Sequence, residues 1–199
     1  MSSSSPVRRE GDQLRGELLA AASRLSAGPR PVAVPSLRAV ARECSVSAAA
    51  VYRHFPSQSA LTWAVLKDEY YRLEATLLEI DDPAADPIVR LRTLALGYVS
   101  WGLENPGIYQ LLFESAEQLD PDAAYHGAEN ELYRRMYELL DALDLPWPPG
   151  GVSARMLAAE RLMAGLHGIV SLAIHRNGQR WTIPLDRLID EFLPQPAGR

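Results

Sequence analysis

The chain has 199 residues, 47% of them hydrophobic, with a net charge of −5, which is enough for a sizeable core divided into a small domain and a larger one of roughly 100 to 150 residues. One cysteine, Cys44, excludes an internal disulfide framework, and no Cys/His cluster has zinc-ligand spacing, so neither a metal nor a cofactor is expected. No apolar run approaches the ~20 residues of a membrane span, and MSSSSPVRREGD lacks the apolar core of a signal peptide, so a cytoplasmic protein without a membrane partner is expected.

The net charge conceals an asymmetry. Residues 1–66 hold eight Arg against four acids, a local charge of +4, which leaves −9 for residues 67–199. A basic end joined to an acidic remainder suggests that one end meets nucleic acid and the other has a separate task, although chance asymmetry on solvated faces gives the same count.

In chain order, residues 1–9 read as a Ser-rich basic arm, disordered until DNA orders it. A first helix is predicted from about Gln13 to Leu25, with Leu14, Leu18, Ala21, Ala22 and Leu25 on one side. Ser36 caps a second helix whose Leu37, Val40, Ala41 and Cys44 fall at i, i+3, i+4 and i+7, one apolar stripe. Ser45, Val46 and Ser47 interrupt the stripe, and Ser47 caps a third helix with Val51 and Phe55 inward. Ala48, Ala49, Tyr52 and Arg53 then face outward. Small side chains near a helix N-terminus followed by Tyr, Arg and His suit entry into a major groove with a grip on the flanking phosphates.

Pro56 closes that helix, and Ser57 caps a long one carrying Leu61, Val65, Leu66, Leu73, Leu77 and Ile80. Asp82-Pro83 and Asp86-Pro87 open a helix to about Glu104, Asn105-Pro106 opens a short one through Phe113, and Asp120-Pro121 precedes one to about Leu143. A rigid loop follows at 145–151, then a long helix from Val152 to about Asn177 and a last one from Pro184 to Phe192. Nothing alternates with a period of two, so the fold class is all-α: an N-terminal three-helix helix-turn-helix DNA-binding domain (10–56) and a C-terminal helical bundle (57–199). The helix from Val152 is apolar over much of its circumference, which fits either a two-fold interface or the central helix of a monomer.

The stretch from Ser36 to Leu61, with Ser-Leu-Arg-Ala-Val-Ala, Val-Ser, Val-Tyr-Arg-His-Phe-Pro-Ser and Ala-Leu in order and spacing, resembles the TetR family of bacterial transcriptional repressors. Farther on, Asn-Pro-Gly-Ile-Tyr-Gln-Leu-Leu-Phe at 105–113 and Leu-His-Gly at 166–168 resemble the C-terminal class of that family named for its Trp, His and Gly. The resemblance implies that Ser36 is a phosphate-contacting cap, that Ser47, Ala48, Ala49 and Arg53 face the groove, and that Tyr52 and His54 anchor phosphates. From the residues alone, Tyr52 can instead pack against the preceding helix and His54 can cap a helix C-terminus. Three positions depart from the family pattern: Ser45 replaces a usual Gly, Gln58 a common phosphate-binding Lys, and the tryptophan expected before His167 is absent.

The resemblance further implies that the C-terminal helical bundle is a ligand-binding and dimerisation domain, and that the protein is a homodimer on a near-palindromic double-stranded operator, released by a partly apolar small-molecule inducer. Candidate ligand contacts are Tyr98, Trp101, Tyr109, Phe113, Tyr133, Met136, Tyr137, Met163 and His167, although a residue of each of these kinds is individually more often core than ligand contact. An enzyme is not expected, since the chain has no nucleophile elbow, phosphate-binding glycine loop or His-Glu-x-x-His helix. A helical adaptor that uses the two-helix motif on a protein would leave the basic end without a use.

Overall fold

The computed structural model describes residues 6–26, 34–113, 131–145, 153–176 and 181–195, with side chains from residue 11 onward. These residues form α1 (Pro6–Ser26), α2 (Leu37–Glu43), α3 (Ala48–His54), α4 (Gln58–Glu79), α5 (Pro87–Glu104), α6 (Pro106–Phe113), α7 (Glu131–Asp141), α8 (Ala154–His175) and α9 (Leu185–Asp190). No strand occurs among the described residues. The helix expected after Asp120-Pro121 is described only from Glu131, and most of the loop at 145–151 lies outside the described residues.

The helices group into two compact units, one drawn from Met1–Arg72 and Asn105–Ala124, the other from Leu73–Glu104 and Tyr125–Arg199. This grouping differs from the division at residue 57 drawn from the sequence, because the first unit takes in most of α4 and all of α6.

In the first unit, α1 packs against α2 and α6, and α2 against α3. Helix α1 starts at Pro6 rather than near Gln13, so residues 6–9 of the expected disordered arm are helical. Proline suits a first helical position, where its missing N–H would have had no partner. Leu18, Ala21 and Ala22 are fully buried as expected, whereas Leu25 is exposed and Leu19 is buried in its place. The core closes with Val40, Val51, Phe55, Leu61, Val65 and Tyr109.

In the second unit, α5 packs against α7, α8 and α9, and α7 packs against α8. Of the two Asp-Pro pairs, only Asp86-Pro87 opens a helix. Asp82 makes a turn, its Oδ1 accepting from the Ala84 amide at 2.9 Å and its carbonyl from Ala85 at 3.1 Å. Gly97 lets α4 approach α5 closely, since a Cβ there would lie 2.5 Å from Ile80 Cδ1 and 2.8 Å from Leu77 Cδ2. Gly165 does the same for the Phe192 ring. Asp190 accepts from Nε and Nη2 of Arg92, and the carbonyl of Glu191 accepts from Arg161 at 2.8 Å, so α9 is tied to α5 and its exit to α8.

Asp81, in the link after α4, is almost wholly buried and carries two arginines. Arg90 of α5 donates to both of its oxygens at 2.7 Å, and Arg135 of α7 lies 3.4 Å away. The Arg90 hydrogen bonds hold the Asp81 carboxyl below its ordinary value, outweighing the burial that pushes it up. Glu74 adds a second tie to α7 by accepting from the Glu131 amide at 2.9 Å, which satisfies one otherwise orphaned N–H at that helix start.

By length and composition, Ala154–His175 is long and apolar enough to cross a membrane, with a mean hydropathy of 1.4 over eighteen of its residues, although Arg155, Glu160 and Arg161 interrupt its apolar run. Its Ala159, Leu162, Gly165, Leu166, Ile169 and Val170 are buried in the second unit, while Met156, Leu157 and Leu172 are exposed.

Candidate nucleic-acid interface

The two-helix motif is built by three serine caps. Ser36 Oγ accepts from the Ala39 amide at 3.2 Å, Ser47 Oγ from Ala50 at 3.1 Å and Ser57 Oγ from Ala60 at 3.1 Å. Each cap satisfies a backbone donor that the first helical turn leaves unpaired. Between α2 and α3 the chain turns sharply: the Val46 amide donates to the Ala41 carbonyl at 3.0 Å, and Ser45 sits at φ 55°. That value is left-handed, the conformation a glycine adopts without cost and a serine does not. Ser45→Gly is therefore expected to raise stability by up to about 1 kcal/mol, read as a higher urea midpoint. An unchanged midpoint would show that the turn carries no strain.

Val51 and Phe55 anchor α3 in the core, with Ala50 beside them. The opposite side presents Ser47, Ala49, Tyr52 and Arg53, all exposed, with Ala48 and His54 half-buried. Tyr52 is 49% exposed and lines a shallow concavity of about 450 Å³ together with Ser36, Leu37, Arg38, Pro56, Ser57 and Gln58. The structure thus brings Ser36 and Tyr52 to one depression at the starts of α2 and α4 and the end of α3. Ser47, Ala48 and Ala49 lie at the start of α3.

Charge follows the same division. Arg24 pairs with Glu43 at 3.5 Å and Arg15 stacks on the Phe55 ring at 5.3 Å, so both are engaged within the fold. Arg38, Arg42 and Arg53 make no ion pair with any described residue. Sequence reasoning counted Arg38 as charge but not as a site residue; its place two residues after the Ser36 cap was the available signal. The Cys44 thiol donates weakly to the Glu17 carbonyl, 3.7 Å away, and burial pushes its pKa up, which marks it as a packing residue.

Gln58 departs from expectation more sharply. Its side chain turns onto the protein, accepting from the Leu37 amide at 3.2 Å and donating to the Val34 and Pro35 carbonyls at 3.3 and 3.1 Å.

The candidate ligand residues are divided between the units. Tyr109 and Phe113 stack at 4.8 Å in the first. In the second, Tyr98, Trp101 and Met136 are buried, while Tyr133, Tyr137, Met163 and His167 are partly exposed. Arg155 lies over the Tyr137 ring at 5.2 Å, and burial raises the Tyr133 phenol. No group of three or more His, Cys, Asp or Glu that could hold a metal ion occurs among the described residues.

A capped two-helix motif with an exposed Tyr and Arg, on an all-helical chain, defines a helix-turn-helix DNA-binding regulator. Residues 18–65 match the family described as bacterial regulatory proteins, tetR family, and residues 91–194 match the tetracyclin repressor-like C-terminal domain. The chain belongs to the TetR family of DNA-binding transcriptional regulators, which are non-enzymatic DNA-binding proteins. Among relatives, the nucleoid occlusion factor SlmA of Escherichia fergusonii is 27% identical over 136 residues, covering 66% of this chain and 68% of SlmA. A protein of unknown function from Rhodococcus sp. RHA1 superposes with a TM-score of 0.69 at 28% identity, covering 92% of this chain and 96% of that one. AibR, solved in complex with isovaleryl coenzyme A and operator DNA, superposes with a TM-score of 0.64 at 19% identity, covering 92% and 99%.

Proposed function

We propose that this regulator is a homodimeric repressor, bound to a near-palindromic operator through Ser36, Ser47, Ala48, Ala49, Tyr52, Arg53 and His54 and released by a small molecule held in residues 57–199. The basic arm at 1–9 and the segment 10–56 serve the DNA, and binding DNA puts the protein in the cytoplasm. The observation that carries the reading is the exposed Tyr52 in one concavity with Ser36, next in the chain to an exposed Arg53 that has no ion pair among the described residues. Hydroxyls and arginines of this kind fix a protein on the phosphate backbone, and the groove-facing end of the helix reads base edges.

Dimerisation is supported by the outer side of α8, where Met156, Leu157 and Leu172 are exposed and a Cβ on Gly168 would meet nothing within 4 Å. Ligand release is supported by the aromatic residues of the second unit, Tyr98, Trp101, Tyr133 and Tyr137, with Met163 and His167, and by the fold shared with AibR, which was solved with both isovaleryl coenzyme A and operator DNA. The motifs at 105–113 and 166–168 favour the Trp-His-Gly class of C-terminal domain.

The test is footprinting of the purified protein on the DNA flanking its own gene. Protection of two half-sites about 34–36 Å apart is expected, with affinity falling about 10³- to 10⁵-fold between 50 and 200 mM salt if six to ten phosphates are contacted. Absence of any protected palindrome at low salt sinks the reading.

A further inference from the structure

We propose that Gln58 is a positioning residue for DNA binding: it holds the start of α2 against the start of α4 and so fixes the two walls of the concavity that carries Ser36, Arg38, Tyr52 and Ser57. The proposal rests on the DNA-binding reading and adds a residue whose part in it is indirect.

Gln58 is the first residue of α4, yet its partners lie 21 to 24 residues earlier in the chain. The orientation of its amide follows from those partners. Oε1 must face the Leu37 N–H, and Nε2 must face the carbonyls of Val34 and Pro35. One planar group thus satisfies three backbone atoms of the connector and first turn of α2. Ser36 Oγ is occupied with the Ala39 amide, so the Leu37 N–H receives its partner from outside its own helix.

No other common side chain of this length does the same work. Glu accepts but cannot donate, Lys donates but cannot accept, and Met does neither. A lysine here would offer a phosphate a charge while leaving the Leu37 amide without its partner. Glutamine gives up the charge and keeps the amide. The residues lining the concavity come from the starts of α2 and α4 and the end of α3, Gln58 ties the two starts together, and a loosened tie would let Ser36 and Arg38 drift from Ser57.

The experiment compares the wild type, Gln58→Met and Arg38→Ala on the duplex that the wild type selects from a randomised pool. It measures the dependence of affinity on salt and, in the DNA-free protein, hydrogen exchange at the Leu37 amide. Gln58→Met is expected to weaken binding on the order of tenfold at every salt concentration, with the slope of log K against log salt unchanged and Leu37 exchange accelerated. Arg38→Ala is expected to flatten the slope by about 2, one phosphate contact in each protomer, with Leu37 exchange unchanged. A slope flattened by Gln58→Met as much as by Arg38→Ala overturns the proposal, since Gln58 would then be acting on phosphate directly. Unchanged affinity in Gln58→Met overturns it as well. Where the Met variant does not fold, Gln58→Glu serves: it retains an acceptor, so Leu37 stays protected while DNA binding weakens, and loss of that protection counts against the tie. If the wild type selects no duplex, the DNA-binding reading fails; Leu37 exchange still reports on the tie alone.

Discussion

Arg53→Ala is expected to cost about 2 to 6 kcal/mol of operator affinity per dimer, from a base contact worth ~1–3 kcal/mol in each protomer. In binding terms that is roughly thirtyfold to twenty-thousandfold. Arg53 is exposed on α3 and pairs with no described acid, and Ala48 and Ala49 at the start of the same helix carry no side-chain group that could hydrogen-bond a base. The loss should also be selective. An arginine that reads a base loses discrimination at that base pair, whereas one that holds phosphate weakens all sequences alike and flattens the salt slope. Fluorescence anisotropy on the operator and on single-base variants separates these outcomes. Uniform weakening across all variants would remove Arg53 as a reader and leave specificity to DNA shape.

The second large effect concerns stability. Asp81→Ala is expected to cost about 3 kcal/mol, because it leaves Arg90 and Arg135 partly buried without their shared anion. The pH dependence gives a sharper check. Asp81 has a folded pKa held below its unfolded value of 3.8, so its contribution is fully present above that value and is lost as pH falls through the folded pKa. Urea unfolding of the wild type and Asp81→Asn should therefore differ most near neutrality and converge in acid. A gap that stays constant down to pH 3 would falsify the assignment of that stability to the Asp81 charge.

Much of the fold was legible because it is local. Prolines and serines punctuate the helices at 57, 87 and 106, and the three caps need only a hydroxyl and an amide three residues on. The departure at Ser45 was also legible, since one replaced glycine predicts one left-handed residue. What escaped the sequence depends on distant partners. Gln58 reads as a lost phosphate contact until Val34 and Pro35 are brought beside it. Asp81 reads as a loop acid until α7 delivers Arg135 from far along the chain. Leu25 and Leu19 have the same chemistry, and only the packing of α1 against α2 and α6 decides which of them is covered. Of the candidate site, the outward face of α3 was legible from spacing, while Arg38 entered only through the shared concavity.

The membership of α6 in the first unit bears on any attempt to transplant this DNA-reading head. Ile108, Tyr109 and Leu111 are buried and belong, with α1, to the same compact body, although more than thirty residues of the other unit intervene in the chain. A fusion that borrows residues 1–72 leaves those side chains behind and exposes the apolar flank of α1 to water. The head is thus not separable by a single cut; a functional graft has to carry α6 as well, through a new linker from the end of α4.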